Sequence, residues 1–143
     1  KPSSSICFKF SVSTLALIPS IPFGLYCTSC ATVLLEYQLD DFAKNLLKYI
    51  SEDQIVKVYN MGLLRIEKIA KFIEEKGNFC HFAKLPSFLY TNSIFGEKNI
   101  EDEYKFRIKH GFKAELFDCL NNPFPFQIKR GLFCSDGGAQ FNP

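Results

Sequence analysis

Hydrophobic and polar positions follow three rhythms along the chain. Between Phe10 and Leu35 there is no charge, and Pro19, Pro22, serines and threonines interrupt an otherwise apolar run. From Glu36 the spacing becomes helical: Leu39, Phe42, Leu46, Leu47 and Ile50 share one stripe, with Asp40, Asp41, Lys44 and Lys48 elsewhere. Ser51-Glu52-Asp53-Gln54 has the form of a capping box, in which the Ser51 hydroxyl and the Gln54 side chain each accept from an orphan backbone N–H, and predicts a second helix. Its apolar positions run through Ile55, Tyr59, Leu63, Ile66, Ile69, Ala70 and Ile73 to Gly77, which suits a left-handed C-terminal turn.

The third rhythm alternates. Phe88 to Phe95 is aromatic and apolar, is bounded by Pro86 and Gly96, and predicts a buried strand followed by a turn at Gly96-Glu97-Lys98. Asn99 is a good N-cap for the next helix, with Glu101, Asp102 and Glu103 in its first turn, Arg107, Lys109 and His110 in its last, and Gly111 as its stop. Ile100, Tyr104 and Ile108 form its expected buried stripe. A short strand from Phe112 to Phe117 then places Phe112, Ala114 and Leu116 on one face and ends in Asp118; Lys129 to Phe133 reads as one more strand or hairpin arm before a turn at Asp136-Gly137-Gly138. The expected fold is α/β: a partial Rossmann-like βαβ unit preceded by two helices and an apolar N-terminal segment, divided as residues 1–35, 36–85 and 86–143.

Charge narrows the partners. Seventeen basic against fifteen acidic side chains leave a formal net charge of +2, too small for the field of a dedicated nucleic-acid binder. The charge-free run exceeds the roughly 20 residues that cross a bilayer. Lys1 and Lys9 before it and Glu36, Asp40 and Asp41 after it fit a signal anchor with a luminal remainder, which predicts membrane attachment through Phe10 to Leu35 or passage into the secretory pathway. A cleavable signal with its apolar part at residues 10–18, or a pair of buried strands over residues 6–17 and 23–35, remain as alternatives. The six cysteines are Cys7, Cys27, Cys30, Cys80, Cys119 and Cys134. They allow 15 pairings. Ordinary buried thiols or a Cys80–Cys119 disulfide fit better than a redox or zinc role for Cys27-Thr-Ser-Cys30, which lacks a second close pair.

The alternating segment carries the chemistry. Gly96 stands at the carboxyl end of one expected strand and Asp118 at the carboxyl end of the next, 22 positions on. That is near the spacing of about 20 at which a carboxylate reaches the ribose hydroxyls of a nucleotide lying over the first turn. Glu97, Glu101, Asp102 and Glu103 disfavour a pyrophosphate there but not a cationic cofactor. Asn92-Ser93-Ile94-Phe95-Gly96, the acidic-aromatic stretch Glu101 to Tyr104, and Gly111-Phe112-Lys113-Ala114-Glu115-Leu116-Phe117-Asp118-Cys119 resemble the first cofactor-binding motifs of class I S-adenosylmethionine-dependent methyltransferases. More narrowly, they are similar to an animal branch of methyltransferase-like proteins, often with an N-terminal signal or anchor, whose strands end in Ser-Phe-Gly and Phe-Asp. The resemblance covers residues 79–123 and makes residues 86–143 the first part of such a domain. It implies S-adenosylmethionine as cofactor, with Gly96 in the turn beneath it, Asp118 on its ribose, and Glu101 and Tyr104 bordering its methionine end. It names no catalytic base, no acceptor and no metal. The residues after Asp118 are fewer than such a domain needs, so an N-terminal fragment, incomplete for turnover, is expected. The alternative is a small secreted disulfide-containing helical module, saposin-like, that binds a lipid or a protein.

Overall fold

The computed structural model describes residues 8–11 and 33–142. In chain order they form β1 (Phe8–Ser11), β2 (Val33–Glu36), α1 (Ala43–Leu46), α2 (Glu52–Glu75), β3 (Ala83–Thr91), α3 (Ile94–Lys109), β4 (Glu115–Asp118) and β5 (Arg130–Phe141). The strands build a five-stranded sheet in which every pairing is antiparallel. Strand β5 is its axis. One side of β5 is lined by β3, and the other is shared by β4, over residues 130–133, and β2, over residues 138–141. Strand β1 extends the sheet beyond β3.

Strands β3 and β4 each run opposite to β5, so they point the same way, and α3 links them. The expected strand–helix–strand unit therefore takes a split form: an antiparallel strand lies between its two arms, where a Rossmann-like unit has parallel neighbours. The physical reason is the return of the chain after β4. Residues 119–129 turn it straight back, and the buried Leu132, Cys134 and Ala139 of β5 fill the space that a parallel strand would take. The fold is mixed α/β, with helices packed against an antiparallel sheet.

Helix α2 starts as its capping box requires: the Gln54 N–H donates to Ser51 Oγ at 3.3 Å and the Ser51 N–H to Gln54 Oε1 at 2.9 Å. It ends before Gly77, which has φ +91°. The first expected helix is largely replaced. Residues 33–36 pair with β5 as strand β2, and only one turn, α1, remains helical. Asp41 delays that turn by accepting from the Phe42 N–H at 2.8 Å and from Asn45 Nδ2 at 2.7 Å. Helix α3 begins six residues earlier than expected, with Ser93 in place of Asn99 as its cap: β3 stops at Thr91, and the Ser93 hydroxyl accepts from the Phe95 N–H at 3.3 Å. Its buried face is accordingly Gly96, Ile100, Glu103, Phe106 and Arg107, while Tyr104 is half-buried and Ile108 exposed. His110 is the C-cap, as its position predicts.

Ile55, Tyr59 and Ile66 of α2, Ile100 and Phe106 of α3, and Leu89, Leu132 and Ala139 of the sheet share one core, which joins residues 36–85 to residues 86–143. The opposite face of the sheet uses the unusual supply of 16 phenylalanines. There the loop after β4 folds Phe124 against Phe88, with ring centroids 4.3 Å apart, and Phe126 against Tyr90 at 5.0 Å.

Of the charge-free run, Phe10 and Ser11 belong to β1 and residues 33–35 to β2. Residues 12–32, with the anchor and signal expectations and the Cys27/Cys30 pair, lie outside the described residues. Among the described residues no helix is long and apolar enough to cross a membrane. Cys80, Cys119 and Cys134 are free thiols, so the expected Cys80–Cys119 disulfide is not formed. The reason is distance along β5. The Cys80 carbonyl accepts from the Asn142 N–H beyond one end of that strand, whereas Cys119 follows Asp118, the partner of Arg130 at the other. Twelve strand residues separate those ends by roughly 40 Å. The described residues build a mixed α/β fold and not the all-helical one of the saposin-like alternative; Cys7, Cys27 and Cys30 lie outside them.

Candidate functional site

Two clusters of charge are built on α3, and they differ in how completely they are satisfied. The first is buried. Glu103 and Arg107, one helical turn apart, lie between α3, the segment after β2, α2 and β5, and are 3% and 2% exposed. Arg107 Nε donates to Glu103 Oε1 at 3.0 Å, Nη1 donates to the Tyr37 hydroxyl at 2.9 Å and to Cys134 Sγ at 2.8 Å, and Nη2 donates to Gln38 Oε1. Glu103 also accepts from the Tyr59 hydroxyl at 3.1 Å and from the Ala43 N–H at 2.7 Å, the donor left open at the start of α1. The guanidinium faces the rings of Tyr37 and Tyr59, at 5.3 and 5.9 Å. Burial pushes both phenols well above the ordinary tyrosine range; the Arg107 charge pulls back on each, and for Tyr59 the Glu103 carboxylate adds to the rise. Burial alone would lower Arg107, but Cys134, Tyr37 and Glu103 around it more than offset that, so its pKa rises. Each charge has its partners and neither reaches solvent. This cluster locks α1, α2, α3 and β5 together.

The second cluster lies at the open end of the sheet, where β3 and β4 finish, β5 begins and α3 starts. Arg130, the first residue of β5, stands opposite both Thr91 and Asp118, the last residues of β3 and β4. Its Nη2 lies 2.8 Å from Glu101 Oε1 and 3.8 Å from Glu97 Oε2, and its Nη1 lies 3.8 Å from Asp118 Oδ2. All four side chains are between a fifth and two fifths exposed. Arg130 Nε is buried without a hydrogen-bond partner among the described residues. Such an unsatisfied group is uncommon in a folded chain, and it falls at this edge rather than in the buried cluster.

Asp118 is held by its own turn. Its Oδ1 accepts from the Leu120 N–H at 2.8 Å and the Asn121 N–H at 3.2 Å, and these bonds, with Arg130 nearby, keep its carboxyl below the ordinary aspartate range. One oxygen is thereby fixed while Oδ2 faces Arg130 at more than hydrogen-bond distance.

The four residues expected to touch a cofactor are distributed unevenly. Glu101 and Asp118 meet at Arg130. Gly96 is close by in sequence, but it lies in the first turn of α3 and not in a loop. A Cβ there would stand 2.9 Å from Thr91 Cβ and 3.0 Å from Thr91 Cγ2, so this glycine lets the helix settle onto the end of β3. Its expected place in a turn beneath a ligand is corrected by the earlier helix start. Tyr104 is about two turns beyond Gly96 along α3, half-buried and packed on the core. Sequence reasoning missed Arg130, whose one available signal was its place at the start of an apolar run. Among the described residues no group of His, Cys, Asp and Glu is arranged to hold a metal. No family model, no curated protein and no solved structure matches the chain.

Proposed function

We propose that the edge formed by the carboxyl ends of β3 and β4 with the first turns of α3 binds S-adenosylmethionine, and that the chain serves methyl transfer from that cofactor. The observation that carries this reading is the meeting of Glu101 and Asp118, from a helix and a strand, at the ends of two co-directed strands. Three carboxylates, Glu97, Glu101 and Asp118, surround one guanidinium, so the edge is net negative. That balance suits a ligand with a sulfonium and an ammonium group and opposes a phosphate.

Asp118 contributes a carboxylate oriented by two backbone N–H groups, with Oδ2 left to accept from a ribose hydroxyl. Glu101 and Glu97 supply negative potential for the cationic end, and Tyr104 borders the same helix face. Gly96 acts at one remove, by letting α3 sit close enough to bring Glu97 and Glu101 over the strand ends. When bound, the cofactor supplies an activated methyl group; the protein's part is to orient it and exclude water. Arg130 must yield part of its contact with Asp118 as the ligand enters.

Calorimetric titration of the chain with S-adenosylmethionine tests this. Binding by the wild type and about tenfold or greater weakening in Asp118→Ala, the usual loss for a hydrogen bond to a charged group, are expected. Equal affinity in both would remove Asp118 from the site, and no binding by the wild type would end the reading.

A further inference from the structure

Helix α2 uses one side for the core, where Ile55, Tyr59 and Ile66 are buried. The other side is also apolar. Val58, Met61, Leu64 and Phe72 are 36%, 45%, 53% and 60% exposed, and helical spacing puts them on one outward face roughly 20 Å long. Interleaved with them on that face are Lys57, Arg65, Lys68 and Lys71, all exposed. Between Lys57 and Phe72 the only acid is Glu67, which sits on the flank and is paired with Lys84 at 2.6 Å. Lys76, its Nζ 5.9 Å from the centroid of the Phe72 ring, adds a fifth cation, while Asp53 and Glu75 lie on the same side at the two ends of the helix and leave an excess of positive charge along its middle.

We infer that this face of α2 docks on an anionic lipid surface, with the apolar side chains entering the headgroup boundary and the lysines and Arg65 reaching phosphates. The inference concerns a different surface from the cofactor edge and does not depend on it. Charge selects the occupant. A second copy of the chain would bring four cations onto four cations, which a two-fold interface cannot relieve. An acidic protein helix would meet an apolar ridge continued at i, i+3 and i+7, but here the ridge Val58, Met61, Leu64 is broken at the i+7 positions from Val58 and Met61, which are Arg65 and Lys68. Long flexible cations alternating with single apolar side chains match a fluid surface of mobile phosphates beneath which hydrocarbon lies. The whole chain carries only +2, so attraction to such a surface has to come from this local excess.

The chain has no Trp, so Phe72→Trp supplies a single fluorescent reporter on the face without touching the core. Flotation with vesicles of phosphatidylcholine alone, and with about 30% phosphatidylserine added, should place the protein on the anionic vesicles only, less so at high salt. The Trp emission should shift to the blue on the same vesicles. Arg65→Gln with Lys68→Gln should lower partitioning about 25-fold, roughly fivefold for each basic residue lost from an anionic surface, with thermal unfolding unchanged. Equal partitioning on neutral and anionic vesicles, no blue shift, or partitioning indifferent to that pair would overturn the inference. So would binding to soluble polyglutamate without vesicle binding, which assigns the face to an acidic protein. A dimer in sedimentation that the pair dissolves would overturn it in favour of self-association.

Discussion

Arg107 shows how a charge can serve as a core residue. It is nearly inaccessible, yet Glu103, Tyr37, Gln38 and Cys134 each accept from it, and two aromatic rings flank its guanidinium. A buried ion pair adds little net stability over a well-packed apolar pair, but removing one partner strands the other without water. Arg107→Leu is therefore expected to cost about 3–5 kcal/mol in urea unfolding, a large share of the stability of a domain this size. Replacing Glu103 by Leu as well should cost less than the two single changes added, because the stranded carboxylate is gone. A simple sum would show that the two side chains act independently. The sequence hides this cluster because Glu103 and Arg107 look like dipole-matching charges at opposite ends of a shorter helix. Once Ser93 starts α3 and Ile94 and Phe95 become exposed first-turn residues, Glu103 falls in mid-helix, four before Arg107 in the last turn, and both face inward.

At the scale of elements, Gly62 sets two principles against each other. In the middle of a 24-residue helix a glycine is about 1 kcal/mol worse than alanine, so Gly62→Ala ought to stabilise α2. A Cβ there, however, would lie 2.5 Å from the Tyr37 carbonyl oxygen and 2.8 Å from Tyr37 Cα, backbone that cannot swing aside. Overpacking of this kind costs about 1–3 kcal/mol, so Gly62→Ala should show no gain in urea unfolding and a net loss of up to about 2 kcal/mol. A gain in stability would mean that the segment after β2 can move away from α2. Close approach also explains which elements the sequence revealed. Helix α2 was legible because its signals are local: a capping box at Ser51 and Gln54 and a left-handed glycine at Gly77. Strand β5 was only half legible, as its Asp136-Gly137-Gly138 stretch has the composition of a turn. Those glycines are extended backbone in a strand; a Cβ on Gly137 would meet the Ser87 side chain and backbone, and one on Gly138 the Leu35 carbonyl. Their reason is non-local, in β3 and β2, and a single sequence does not display it. For the candidate edge the split was similar: Glu101 and Asp118 were readable from strand-end spacing, while Arg130, which gathers them, depends on an antiparallel return that no local motif announces.

For the molecule as a whole, the buried tyrosines make stability depend on alkaline pH. Tyr37 follows β2, Tyr59 belongs to α2, and through Arg107 and Glu103 both are tied to α3 and β5, so their environment exists only while helices and sheet are docked. Burial raises both pKa values in the folded chain, whereas in the unfolded chain each returns to about 10. A raised folded pKa means that the stability it contributes is fully present below pH about 10 and is lost as the pH climbs above that, because only the unfolded state then releases the protons. Each tyrosine should lower the unfolding free energy by about 1.4 kcal/mol per pH unit in that range, or about 3 kcal/mol per unit for the two. Urea unfolding at intervals from pH about 9 to 11 measures the slope. Tyr59→Phe should be less stable at neutral pH, since Glu103 loses a donor, but its alkaline slope should fall by about half, which separates the titration from the lost contact. Tyrosinate absorbance gives an independent reading: at least two of the six tyrosines should ionise only together with unfolding. If all six titrate near pH 10 with the far-ultraviolet circular dichroism unchanged, the phenols are open to water, and the docking of α2 and α3 on β5 is not the cooperative unit described.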